Sequence, residues 1–113
     1  MNEYKIIDEI KGIAVVELNE SVLGGNTAIE FTALLDKLVA EKFKSLIVDF
    51  SAVQIMNSTG LGMLANAHAT MNKNGLNLVL INIPDKIKKL FDITHLTDVF
   101  RIHPNMESAL AAL

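Results

Sequence analysis

Leu46-Ile47-Val48-Asp49-Phe50-Ser51-Ala52-Val53-Gln54-Ile55-Met56-Asn57-Ser58-Thr59-Gly60-Leu61-Gly62 opens on a nearly unbroken apolar run and closes on a polar corner containing two glycines. The run from Leu46 to Phe50 is short, as expected for a strand covered on both sides. The corner reads as the start of a helix near Asn57 or Ser58 that runs to Asn74-Gly75, where glycine is well suited to leave a helix. A second buried strand, Leu76-Asn77-Leu78-Val79-Leu80-Ile81, follows at once. Strand, helix, strand with short connections predicts parallel pairing through a right-handed crossover.

Working outward, Tyr4 to Ile10 alternates imperfectly, Lys11-Gly12 supplies a turn, and Ile13-Ala14-Val15-Val16-Glu17-Leu18 is β-branched and apolar, which predicts an antiparallel hairpin. A polar loop ends in Gly24-Gly25-Asn26. Thr27 and Glu30 then stand at capping-box spacing, and Phe31, Leu34, Leu35 and Leu38 repeat at helical intervals, with Asp36, Lys37 and Glu41 off the stripe. Downstream, Pro84 suits a first helical turn, with Ile87, Leu90 and Phe91 as a short apolar face. Val99-Phe100-Arg101-Ile102 reads as a last short strand, and Asn105 as the cap of a closing helix using Met106, Ala109, Leu110 and Leu113. The order β-β-α-β-α-β-α-β-α predicts one α/β domain over 1–113, with a mixed, mostly parallel sheet, an N-terminal antiparallel hairpin and about four helices.

Composition narrows the function. The chain has 113 residues, half of them hydrophobic, enough for an ordinary core, and no cysteine, so disulfides and thiolate metal sites are excluded. The N-terminal residues lack the pattern of a signal peptide, and no apolar run approaches the roughly 20 residues that span a bilayer. A cytoplasmic location without membrane insertion is the expectation. Net charge is −3 and the lysines form no basic stripe, which argues against nucleic acid as a partner. His68, His95 and His103 share no metal-ligand spacing, and neither a metal nor a cofactor is expected. Asp49 and Asp85 form no recognisable catalytic pair.

The corner itself holds two hydroxyls, an amide and two glycines at a helix N-terminus, where free amides and the helix dipole favour an anion. A phosphate esterified to serine there would add about −1.5 to −2 charge at neutral pH. The bland alternative is that Asn57 or Ser58 only caps the helix, for about 1 kcal/mol. Gly60 and Gly62 sit poorly with a mere cap, since each costs up to about 1 kcal/mol against alanine in a helix; they leave room for a partner backbone to approach. Gly60-Leu61-Gly62-Met63-Leu64-Ala65 also fits the dinucleotide fingerprint, but Ser51 to Thr59 separates it from the strand it should follow directly. Ser58 lies outside G-x-S-x-G, and no catalytic residue is assigned. Beyond the corner, Leu61, Leu64, His68 and Met71 trace one face of the helix and Met63 and Ala67 another, so it is buried all round or offers an apolar, methionine-bearing face to a partner.

The segment from Val48 to Gly62 resembles the STAS domain family, the fold of anti-sigma factor antagonists and of sulfate-transporter tails. It shows an apolar strand, Asp49-Phe50-Ser51, a spacer, and Asn57-Ser58-Thr59-Gly60-Leu61. The loop into Asn26-Thr27-Ala28, the Gly75-Leu76-Asn77-Leu78 strand start and Val99-Phe100 before the closing helix extend the resemblance over the whole chain. It implies a non-enzymatic switch. A partner anti-sigma factor with serine kinase activity phosphorylates Ser58 (Thr59 being the secondary candidate), the phosphorylated form releases that partner, and a serine phosphatase resets it. The implied partner surface comprises Gly24, Gly25, Asn26, Met56, Asn57, Ser58, Thr59, Gly60, Gly62 and Met63. Many members carry aspartate at the position of Asn57 and an acid at that of Gly24. Other members are phosphorylation-independent scaffolds or cytoplasmic subunits of signalling or transporter-ATPase complexes.

Overall fold

The computed structural model describes residues 4–10 and 12–113. Strands β1 (Tyr4–Ile10), β2 (Ile13–Leu18), β4 (Ser45–Asp49), β6 (Asn77–Ile81) and β7 (Arg101–His103) form one sheet in the order β1-β2-β4-β6-β7. β1 pairs antiparallel with β2; every later pairing is parallel. The register of the hairpin slips between Ile6 and Asp8, a local irregularity that accords with the imperfect alternation of that strand. Lys11, the first residue of the expected turn, lies outside the described residues. Two short strands, β3 (Ser21–Val22) and β5 (Ile55–Met56), form a separate parallel pair.

Helices α1 (Asn26–Ala40), α2 (Ser58–Lys73) and α3 (Asp85–Ile93) cover one sheet face, and α4 (Met106–Ala112) lies on the other. The first face presents Ala14, Val16, Leu46, Val48, Leu78 and Leu80 to Phe31, Leu35 and Leu38 of α1, Leu61, Leu64 and Met71 of α2, and Phe91 of α3. The second presents Val15, Ile47, Val79 and Ile81 to Ala109 and Met106. The central strands therefore have no solvent side, which is why they read as continuous apolar runs rather than alternating ones. Burying each such aliphatic or aromatic side chain contributes about 1.5–3 kcal/mol. Among the described residues no helix is long and apolar enough to cross a membrane.

Three local expectations are corrected. The capping box does not form the start of α1: the N-cap is Gly25, at φ 66° and without a side-chain cap, so Thr27 already lies within the helix, its side chain outside the described residues. Consecutive left-handed glycines let the chain enter the helix early. The last strand is Arg101–His103 rather than Val99–Ile102. Val99 closes a turn onto the Leu96 carbonyl, and Phe100 packs inward with its ring centroid 5.5 Å from those of Phe91 and His68. Finally, α2 is not buried all round: Gly62, Asn66, Ala69 and Lys73 form an exposed stripe. Asn105 caps α4 as expected, accepting from Ser108 N–H at 2.8 Å.

Candidate functional site

The corner between β4 and α2 is assembled by backbone bonds to segments far away in sequence. Asp49 ends β4 nearly buried, and its Oδ1 accepts from Ser51 N–H at 2.9 Å and from Asn82 Nδ2 at 3.2 Å, which fixes the turn out of the sheet. Gln54 and Ile55 N–H both donate to the Glu20 carbonyl, at 2.8 and 2.9 Å, and this clamps the spacer against the β2–β3 connection. In the resulting β3–β5 pair, Val22 and Met56 point inward, while Ile55 and the neighbouring Leu23 are about half exposed. The spacer that separates strand from helix is thus an ordered ledge.

Asn57 adopts extended backbone geometry (φ −107°, ψ 178°) and caps α2, its Oδ1 accepting from Gly60 N–H at 2.8 Å. The cap belongs to Asn57, so the Ser58 hydroxyl is not spent on that role. Ser58 is the first helical residue and is exposed. Its amide and that of Thr59 have no acceptor within the helix, and the positive end of the dipole lies beside the serine oxygen. Thr59 is also exposed, but a Cβ built on Gly24 would lie 2.4 Å from the Thr59 methyl carbon. Thr59 therefore seals the buried Gly24, which itself sits at φ +85°.

The glycines divide in function. A Cβ on Gly60 would lie 2.2 Å from the Val22 carbonyl oxygen and 2.9 Å from its carbon. Gly60 is buried and lets β3 pack on the helix start, so the room it leaves is filled by the protein's own backbone rather than by a partner. A Cβ on Gly62 or Gly25 would meet nothing within 4 Å, and both residues are exposed. Met63 and Met56 are buried, at 8% and 9% exposure, and belong to the core. For Met63 this corrects the expectation of a methionine offered at the surface; its position among Leu64, Ala67 and Met71 places it on the broad inward arc of α2. Asn26 begins α1 beside the corner, its side chain outside the described residues. The structure thus brings Gly24, Gly25, Met56, Asn57, Ser58, Thr59, Gly60 and Gly62 into one ledge, with the exposed Leu23 and Ile55 as additional members.

Electrostatically the corner is unusual in lacking cations of its own. Segments 12–36 and 45–72, which build it, contain no lysine or arginine. A phosphate on Ser58 would be held by the helix end rather than by a paired side chain from these segments. The dinucleotide pattern is displaced in space as in sequence, since Gly60 and Gly62 lie within α2. The histidines are dispersed: His68 packs on Phe100, His103 bonds Ser108, and His95 is exposed. Among the described residues no cluster of metal-ligating side chains occurs.

The mixed sheet thus displays a capped helix start with an exposed serine at its first position. The chain belongs to the STAS domain family, whose model matches residues 4–109. It is similar to the anti-sigma-B factor antagonist of Staphylococcus epidermidis, with 31% identity over 81 residues, 72% of this chain and 75% of the relative. Its fold matches that of the anti-sigma factor antagonist SpoIIAA in its unphosphorylated form, with a TM-score of 0.73 and 13% identity over 96% of this chain and 94% of the other. It also matches the Bacillus cell fate determinant SpoIIAA in the phosphorylated form, with a TM-score of 0.72 and 14% identity over 96% and 97% of the two chains.

Proposed function

We propose that this chain is an anti-sigma factor antagonist acting in the cytoplasm as one STAS domain over 1–113, and that reversible phosphorylation of Ser58 is its switch. An anti-sigma factor with serine kinase activity is the partner and the phosphate donor, a serine phosphatase restores the binding form, and the outcome is control of sigma-factor-dependent transcription. The observation that carries this reading is the division of labour at the corner. Asn57 caps the helix and the Thr59 methyl packs on Gly24, which leaves the Ser58 hydroxyl exposed and without a structural task. The name borne by the staphylococcal relative supports the same role.

A phosphate at the first position of a helix is favourable to that helix, so the switch works at the surface and not by unfolding. The partner meets the ledge of Gly25, Asn57, Ser58 and Gly62, flanked by Leu23 and Ile55, and a dianion in its centre must be desolvated or repelled when the partner closes.

Transfer from ATP by the partner kinase, mapped by mass spectrometry, is expected to place phosphate on Ser58. Label on Thr59 alone, or none, would reject the switch and leave the phosphorylation-independent scaffold or transporter-subunit role. In the same assay system, Ser58→Asp is expected to weaken partner binding at least about tenfold, equivalent to about 1.4 kcal/mol. Its melting temperature should be unchanged or slightly raised, because an acid at a helix start contributes about 0.3–1 kcal/mol. Wild-type affinity in this variant would show that charge at Ser58 is not the control.

A further inference from the structure

A cavity of about 280 Å³ opens at the carboxyl ends of β6 and β7, lined by Asn82, Ile83, Lys88, Ile102, His103 and Pro104. None of these residues lies on the phosphoacceptor ledge; Asn82 alone links the two, through its bond to Asp49. The cavity lies outside the carboxyl ends of two adjacent parallel strands. Its volume is just below the usual range for small-molecule pockets, roughly 300–1,000 Å³.

The lining has a definite chemical character. Ile83, Ile102 and Pro104 form an apolar wall, and the polar members are an ammonium, an imidazole and an amide, with no carboxylate among them. The polar members are also partly fixed. Asn82 sits at φ 55°, a left-handed conformation uncommon outside glycine, and its Nδ2 is tied to Asp49 Oδ1 at 3.2 Å. His103 Nδ1 lies 3.0 Å from Ser108 Oγ. When the serine hydroxyl donates to Nδ1, the ring proton resides on Nε2, which is then a donor. Lys88 is exposed on α3 and brings a cation to the cavity. Two donors, one of them cationic, beside a short apolar wall suit a ligand with an anionic oxygen group on a small carbon body.

We propose that this cavity binds a small organic anion, a phosphate monoester or carboxylate, with its oxygens against Lys88 and His103 and its apolar part on Ile83, Ile102 and Pro104. The test is an NMR titration of the full chain at constant ionic strength with glycerol 3-phosphate, butyrate and inorganic phosphate as separate arms. Saturable shifts confined to Asn82, Ile83, Lys88 and His103 are expected with at least one organic anion, with a Kd on the order of 1 mM or tighter. A preference for glycerol 3-phosphate identifies the phosphate class, and a preference for butyrate the carboxylate class; either organic anion should bind more tightly than inorganic phosphate, because the apolar wall contributes. Lys88→Gln and His103→Gln should each weaken binding about tenfold, while the distant, exposed Lys42→Gln leaves it unchanged. Lys88 is exposed, so its variant keeps the test valid if His103→Gln fails to fold. Shifts that do not saturate, that follow every lysine, or that survive Lys88→Gln unchanged would overturn the proposal.

Discussion

Replacing Gly60 by alanine tests whether the corner is built as described. In an ordinary helix the change is favourable by up to about 1 kcal/mol. Here the new Cβ would stand 2.2 Å from the Val22 carbonyl oxygen, where ordinary contact begins at 3.4 Å, so helix start and β3 must part by 1.2 Å. The obstacle is backbone, and it cannot rotate aside as a side chain would. A displacement of that size breaks the Asn57 N–H to Val22 carbonyl bond, already 3.4 Å long, and strains the β3–β5 pair. Overpacking costs about 1–3 kcal/mol and the lost hydrogen bond about 1 kcal/mol. Net of the helix gain, Gly60→Ala should destabilise the protein by about 2 kcal/mol, or roughly 10 °C in melting temperature for a domain of this size.

Gly62 supplies the internal control. It lies on the same helix, two residues on, exposed and with open space where its Cβ would be. Gly62→Ala should therefore stabilise by about 0.5–1 kcal/mol. Urea denaturation of the two variants, with unchanged m values, measures both effects. If Gly60→Ala is as stable as wild type, or gains like Gly62→Ala, the close approach of β3 to the helix start is wrong.

Other substitutions address the remaining parts of the ledge. Asn57→Ala should cost about 1 kcal/mol through loss of the bond to Gly60 N–H, whereas Asn57→Asp keeps an acceptor at the cap and should be neutral or better. Equal stability of the alanine and aspartate variants in urea would show that the cap contributes nothing. Gly24→Ala should destabilise by more than about 1 kcal/mol, from its positive φ and from contact with the Thr59 methyl. Adding Thr59→Ser removes that methyl, so the double variant should recover about 0.5 kcal/mol or more of the loss. Strictly additive costs would mean that the two residues do not touch.

How legible these features were in the sequence depended on whether their cause was local. Phe31, Leu34, Leu35 and Leu38 announce α1 because burial of one helix face imposes its own spacing on the chain. Asn105 announces α4 because a cap acts within three residues. The β3–β5 pair has no local signal: two residues carry no period, and the bonds that order them join Gln54 and Ile55 N–H to the distant Glu20 carbonyl. The entry into α1 is hidden for a related reason. Thr27 and Glu30 have the right spacing for a box, but the glycine backbone at Gly24 and Gly25, not a side chain, decides where that helix begins. The burial of Met63 is not legible from its own position, because hydrophobic residues on two adjacent stripes leave open which side is wet. The small and polar stripe of Gly62, Asn66, Ala69 and Lys73 was the available answer.

The two glycines of the corner show the same limit most sharply. Both are costly in an early helical turn, and in the sequence one reason, room for a partner, covers the pair. The fold separates them. For Gly60 the lost helix propensity of about 1 kcal/mol is offset within the molecule, because any side chain there would displace Val22 and the ledge it supports. For Gly62 no neighbour within 4 Å requires the missing Cβ. It lies one helical turn beyond Ser58, on the side of α2 left to solvent. Room for close approach by a partner therefore exists at Gly62 and not at Gly60. It carries its own measurement: Gly62→Leu should fold normally, since the space is open, yet reduce partner affinity at least as much as Ser58→Asp does. A Gly62→Leu protein that folds and binds like wild type would remove the last reason to regard this glycine as part of the partner surface.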